Sequence, residues 1–152
     1  MLESGVKEMY IGQYCHSTDA KGRVIMPSRF REQLGESFVV TKGYEGCLTV
    51  YSAAEWETFT ARLLAMPDHN ADARRLVRMF SSGAVSCETD KQGRILLPQH
   101  LREYAGIEKE VMVIGALSRV EIWDTEKWAR YNDDEDAMTL EEAAARLSGA
   151  GI

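Results

Sequence analysis

Two arginines, Arg23 and Arg94, sit in the same local setting twice over. Arg23 closes Thr18-Asp19-Ala20-Lys21-Gly22-Arg23 and Arg94 closes Thr89-Asp90-Lys91-Gln92-Gly93-Arg94. Each then runs into three apolar residues and a proline, Val24-Ile25-Met26-Pro27 and Ile95-Leu96-Leu97-Pro98. An Asp can accept amide hydrogens two residues on, and a Gly tolerates positive φ, so both stretches predict a braced turn over 19–22 and 90–93. Two readings of the arginine follow. In one, Asp and Arg close an ion pair within the turn, and an exposed pair of this kind stabilises little. In the other, Asp19 and Asp90 brace the turn, Gly22 and Gly93 let it bend, and the arginines point outward as a pseudo-two-fold pair of guanidinium forks. Guanidinium is the side-chain group best suited to gripping a phosphate, or guanine O6 and N7, with two hydrogen bonds. Residue chemistry alone leaves both readings open.

Other chemistries find less support. His16, His69 and His100 fall in unrelated contexts, and there is no His-Glu-x-x-His, Gly-x-Ser-x-Gly or Gly-Lys-[Ser/Thr]. Asp19 and Asp90 invite comparison with a symmetric acid pair, but the flanking Asp-Thr/Ser-Gly of aspartic proteases is missing. Catalysis is not expected. Cys15, His16 and Cys87 occupy related places in the two stretches, yet no Cys-x-x-Cys or His-x-x-x-His accompanies them, so neither a metal nor another cofactor is expected. Three cysteines, an odd number at irregular spacing, read as reduced thiols.

The elements that must position these arginines also repeat. Arg31-Glu32 matches Arg102-Glu103 and Gly35 matches Gly106; after a one-residue slip, Val39 falls opposite Val111 and Gly43 opposite Gly115. Tyr51, Trp56 and Phe59 then face Trp123, Trp128 and Tyr131, so one module is used twice. The first cycle predicts a strand over 9–16, a turn, a strand over 24–26, a helix over 28–34 between Pro27 and Gly35, and a hairpin from 38–41 and 47–51. Ser52 to Glu55 reads as a capping box opening a helix that Pro67 ends. A second helix over 73–80 carries Arg74, Arg75 and Arg78; this pair of helices has no expected counterpart after Trp128 and is read as the connector between modules. The second cycle predicts strands over 84–88 and 95–97, a helix over 99–105, strands over 111–115 and 119–123, and a helix over 125–131. An acidic loop over 133–136 and a capping box from Thr139 to Glu142 close the chain. Trp56, Phe59, Trp128 and Tyr131 lie at helical spacing, which favours packing over base stacking.

The resulting organisation is a first module over 9–60, a helical connector over 61–82, a second module over 83–131, and an acidic, partly helical tail over 132–152. Modules of this size bury little surface alone, so a shared core is expected. No apolar run approaches the ~20 residues that span a bilayer, and no signal-peptide pattern opens the chain, so a cytoplasmic location is expected. The net charge of −6 is uneven. Residues from Glu121 onward hold nine acidic and three basic side chains, leaving the preceding residues neutral with fifteen of each sign. The acidity thus belongs to the tail, and residues 16–35, with Lys21, Arg23, Arg29 and Arg31 against Asp19 and Glu32, can present a basic face.

The paired Asp-x-x-Gly-Arg motifs, each followed by an apolar strand, Pro and a short helix, resemble the MraZ family within the AbrB-like (SpoVT/AbrB) transcription factors. The resemblance covers residues 9–131. It implies an α+β fold in which two tandem AbrB-like hairpin modules interlock into a swapped-hairpin, double-split β-barrel with short flanking helices. It also implies a sequence-specific DNA-binding regulator that represses its own operon and the bacterial division and cell-wall gene cluster. Nucleoid association and assembly as a ring of eight or more protomers, meeting direct repeats in promoter DNA, are implied with it. The family's DNA-contacting arginine falls on Arg23 and Arg94; Lys21, Lys91, Arg29 and Arg31 would add phosphate contacts. Gln92 stands where Lys21 does in the first motif, so the two halves are not equivalent. The rival reading is an antitoxin-like interaction module resembling MazE that binds a toxin partner. A complete second copy and a short, helix-capped tail weigh against it.

Overall fold

A computed structural model of the chain describes residues 9–133 and 138–150. Among the described residues, eight strands and six α-helices follow one another in a mixed α+β order, with nearly the same cycle in each half. The first half contains β1 (Gln13–Ser17), β2 (Arg23–Ile25), α1 (Ser28–Leu34), β3 (Phe38–Lys42), β4 (Leu48–Ser52), α2 (Ala53–Leu64) and α3 (Ala71–Gly83). The second contains β5 (Val85–Cys87), β6 (Arg94–Leu96), α4 (Gln99–Ala105), β7 (Glu110–Gly115), β8 (Val120–Asp124), α5 (Thr125–Asp133) and α6 (Leu140–Arg146). The helix pair α2–α3 therefore does have a later counterpart in α5–α6, contrary to the expectation from sequence. Most of the acidic stretch 133–136 lies outside the described residues; Asp133 itself ends α5.

The halves interlock through their strands. A six-stranded antiparallel ladder runs β1-β7-β8-β4-β3-β5, and β2 pairs with β6 as a separate ribbon. Among the described residues, the hairpins β3–β4 and β7–β8 are the pairings made within one half. The pairings β1–β7, β3–β5, β4–β8 and β2–β6 all cross between halves. Neither half could satisfy its backbone groups without the other, which is the exchange expected of a duplicated half-domain. The closed barrel is a different matter. Among the described residues the ladder stays open, with β1 and β5 at its edges. The tight turns after β1 and β5 reverse the chain, and the three-residue strands β2 and β6 are then spent on each other rather than on closing the ladder.

One apolar core serves both halves. Val24, Met26, Phe30 and Leu34 meet Ile95, Leu97, Leu101 and Ala105 there, with the inward residues of β3, β4, β7 and β8 and the fully buried Tyr10. Burying each large side chain contributes roughly 1.5–3 kcal/mol relative to leaving it exposed, so truncation at the centre of this cluster would be costly. Tyr10 sits outside any strand, bridging to Leu117, and β1 begins three residues later than Tyr10. Its ring meets Phe30 edge-on, as the Tyr14 ring does from β1.

The repeat equivalence also shifts. Phe38 and Val40 pair with Ser52 and Val50, whereas Val111 and Val113 pair with Asp124 and Ile122. Phe38 and Val40 are thus the structural equivalents of Val111 and Val113, and Val39 faces partly outward rather than matching Val111. Strand side chains alternate faces, so a one-residue error in the slip turns a strand inside out on paper.

Candidate nucleic-acid interface

Each Asp braces its turn as the residue types dictate. Asp19 Oδ1 accepts the amides of Lys21 at 3.0 Å and Arg23 at 2.9 Å, and Oδ2 accepts Arg23 Nε at 2.7 Å. In the second turn Asp90 Oδ1 accepts the amides of Gln92 and Arg94, both at 2.9 Å, and Oδ2 accepts Arg94 Nε at 2.8 Å. The backbone closes both loops: Gly22 N–H donates to the Asp19 carbonyl at 3.0 Å and Gly93 N–H to that of Asp90 at 2.9 Å. Gly22 and Gly93 have φ of 86° and 81°, in the left-handed region that other residues avoid. The fixed Arg23 amide, more than any other contact, pulls the Asp19 carboxyl down to about 2, against the opposing effect of partial burial. The Arg94 amide lowers the carboxyl of Asp90 in the same way.

The two readings of the arginines turn out not to exclude each other. The ion pair forms, but through Nε. Among the described residues no hydrogen bond reaches Nη1 or Nη2 of Arg23, so its two-pronged end stays available while the stem is locked. Arg94 is more tied: Nη2 donates to Gln92 Oε1 at 3.3 Å, and Nη1 lies 3.8 Å from Asp19 Oδ2 across the ribbon. One carboxylate oxygen thus stands within 4 Å of both guanidinium groups, and the two heads lie side by side.

The ribbon decides which way these heads face. In β2–β6, Arg23 pairs with Leu96, Val24 with Ile95 and Ile25 with Arg94. Paired residues share a face and alternate residues share a face. Val24 and Ile95 are buried in the core, so Arg23, Ile25, Arg94 and Leu96 all lie on the opposite, solvent side. Lys21 and Lys91 are exposed in the turns at either end, and Arg29 is exposed in the first turn of α1.

Arg31 is placed differently from the other cations. It is half-buried, its Nη1 donates to the Met26 carbonyl at 2.6 Å, and its guanidinium lies against Gly93 of the opposite turn. Arg102 does the same to Gly22, where an added Cβ would come within 2.6 Å of its Cζ. Each turn is therefore underpinned by an arginine from the other half. Arg102 is absent from the sequence-based set of site residues, although its match to Arg31 in the repeat was the signal that would have found it. The carbonyls of the two turn glycines complete the clasp: Leu97 N–H donates to the Gly22 carbonyl and Met26 N–H to that of Gly93, both at 2.9 Å.

The remaining candidates fall elsewhere. Cys15 pairs with Met112 at one edge of the ladder and Cys87 with Phe38 at the other; among the described residues no group of three His, Cys, Asp or Glu side chains could hold a metal ion. Burial pushes the Cys47 thiol up to about 12. Trp56 and Phe59 pack with Tyr51, and Trp128 and Tyr131 with Trp123, as two equivalent aromatic clusters on the outer helices. No helix among the described residues is long and apolar enough to cross a membrane.

A small interlocked α+β protein that displays duplicated, Asp-braced arginine turns on one ribbon is the class that this geometry defines. The profile described as "MraZ protein, putative antitoxin-like" matches the chain twice, over residues 9–79 and 79–150. Its relatives include several that carry the name transcriptional regulator MraZ. That of Acetivibrio thermocellus is 53% identical over 144 residues, 95% of this chain and 100% of its own. That of Heliobacterium modesticaldum is 54% identical over 139 residues, 91% of this chain and 96% of its own. The Desulforamulus reducens relative is 54% identical over 129 residues, 85% and 91% of the respective chains. The chain belongs to the MraZ family and carries two tandem copies of its repeat. The second match takes in α5 and α6, as the first takes in α2 and most of α3.

Proposed function

We propose that the protein is a sequence-specific, double-stranded DNA-binding transcriptional regulator that represses its own operon and the division and cell-wall gene cluster. The single observation that carries this reading is the solvent face of the β2–β6 ribbon, where Arg23 and Arg94 stand together with their stems fixed and Arg23 Nη groups unspent. The name shared by its relatives supports it. B-DNA's major groove admits a two-stranded ribbon, and arginine forks read guanine edges there. Lys21, Lys91 and Arg29 would hold phosphates around the groove. Arg31 mainly braces the opposite turn and offers its remaining nitrogens to the backbone. No step of bond-making is involved, so we assign no catalytic role.

One chain with so few outward cations would bind weakly, because phosphate neutralisation supplies most non-specific affinity. A homo-oligomeric ring that meets several direct repeats resolves this by avidity. What supports a ring is the mismatch between the two helix pairs. The α2 and α3 helices expose Leu64 and carry Arg62, Arg74, Arg75 and Arg78, whereas α5 and α6 expose Tyr131 and Leu140 and carry Glu126, Asp133, Glu141 and Glu142. Unlike surfaces that attract make a head-to-tail contact, and such contacts generate a ring when the rotation between neighbours closes. A cytoplasmic, nucleoid-associated location follows from the reading. The test is retention of the DNA upstream of the chain's own coding region: it should fall steeply between 50 and 200 mM salt, and a flat response would point to a protein partner instead.

A further inference from the structure

Two residues on the DNA-proposed face have no role in that account. Ile25 and Leu96 are 41% and 54% exposed, although they belong to strands whose alternate residues, Val24 and Ile95, are fully buried. They are not packing the core. Nor do they stand apart from the arginines: Ile25 is paired directly with Arg94 and Leu96 with Arg23, so the face reads as two Arg–apolar pairs related by the local two-fold. At about 3.3 Å per residue each strand offers roughly 10 Å of this face, which fits within a major groove about 12 Å wide. An arginine fork engaging guanine leaves its cross-strand neighbour over an adjacent base step. The one apolar group on a major-groove base edge is the thymine C5-methyl.

We infer that Ile25 and Leu96 are specificity-determining residues that bury thymine methyl groups beside the guanines held by Arg23 and Arg94. The inference rests on the DNA-binding reading and sharpens it, since it assigns part of base selection to hydrophobic contact. It also distinguishes the halves. Ile25 is compact and β-branched, whereas Leu96 reaches further, and Lys21 on one side is replaced by Gln92 on the other. The two halves of the ribbon therefore select different steps, which suits repeats read in one direction better than a palindrome.

Replacing thymine by deoxyuridine removes the methyl and leaves every hydrogen-bonding group in place. The upstream fragment is prepared with either base and titrated with the full chain and with the double variant I25A/L96A, whose substitutions lie on the exposed face and whose folding is checked by circular dichroism. The wild type should lose about fourfold in affinity for each methyl contact, the transfer value of one methylene-sized group, and I25A/L96A should bind both fragments alike. An equal loss for wild type and variant would place the methyl effect in DNA stiffness and overturn the inference. Equal binding of the two fragments by the wild type would also overturn it while leaving the DNA-binding reading intact. No retention of the thymine fragment by the wild type would sink that reading itself, and the inference with it.

Discussion

Arg102 lies across Gly22, a residue from the other half of the chain, so closely that a Cβ there would meet its Cζ at 2.6 Å. The reciprocal contact joins Arg31 to Gly93. Each Asp-braced turn is thus shaped from within by its own carboxylate and from beneath by the opposite repeat. Gly22→Ala and Gly93→Ala each add a side chain at positive φ and displace the underlying guanidinium. Each should lower the stability to denaturant by about 1–3 kcal/mol, the usual cost of a non-glycine residue forced into such backbone. DNA retention should fall further than the stability loss accounts for, as gel shift at a temperature well below unfolding would reveal.

The carboxylate brace makes an opposite prediction from simple charge counting. Asp19→Asn with Asp90→Asn removes negative charge from a face proposed to meet a polyanion, which on Coulombic grounds strengthens binding. If the carboxylates act by locking Arg Nε, the double variant should instead bind more weakly and select its site less sharply. Acid gives the same brace another test. The Asp19 carboxyl titrates at about 2 in the folded chain against the ordinary 3.8, and Asp90 is lowered too. A depressed folded value means that the contribution to stability is complete above about 4 and is lost as pH falls toward 2. Acid-unfolding curves of the Asn variants should therefore converge on the wild type in that window and separate from it above.

Gln92 occupies the place of Lys21 and accepts a hydrogen bond from Arg94 Nη2. Gln92→Lys frees that nitrogen and adds a cation at the groove edge. Retention should tighten, and the slope of log affinity against log salt should steepen by about 1 for each protomer engaged. Isothermal or anisotropy titrations at several salt concentrations read this directly.

Assembly should depend on the two unlike helix pairs. Leu64 is 80% exposed on α2 and Leu140 87% exposed on α6. Leu64→Asp or Leu140→Asp, each remote from the ribbon, should lower the native mass toward that of one chain, and Arg74→Glu with Arg75→Glu and Arg78→Glu should do the same. Native mass spectrometry shows the outcome; an unchanged mass for all of these would remove the proposed interface.

The local units were legible in the sequence for physical reasons. Helices α1 and α4 span 28–34 and 99–105 as expected, since Pro27 and Pro98 fix their entry and Gly35 and Gly106 their exit. Both capping boxes form, Ser52 with Glu55 and Thr139 with Glu142. The bracing of both turns follows from Asp and Gly alone. What could not be read was non-local. Nothing in β1 or β5 specifies that each will pair across the repeat, with β7 and β3, because pairing partners are chosen by the assembled core. The two-residue insertion that brings Phe38, rather than Val39, into the place of Val111 hides in the loop before β7. Arg31 and Arg102 look from sequence like any exposed helix cations; only the opposite turn reveals their work.

The most direct test pairs Arg23→Ala with Arg94→Ala in the full chain and measures retention of the upstream DNA alongside circular dichroism and native mass. The proposed account requires unchanged secondary structure and mass with retention reduced at least about thirtyfold, in line with the ~1–3 kcal/mol of discrimination that each bidentate arginine supplies. Undiminished retention by the double variant would contradict it, because the ribbon's guanidinium pair would then be no more than turn bracing.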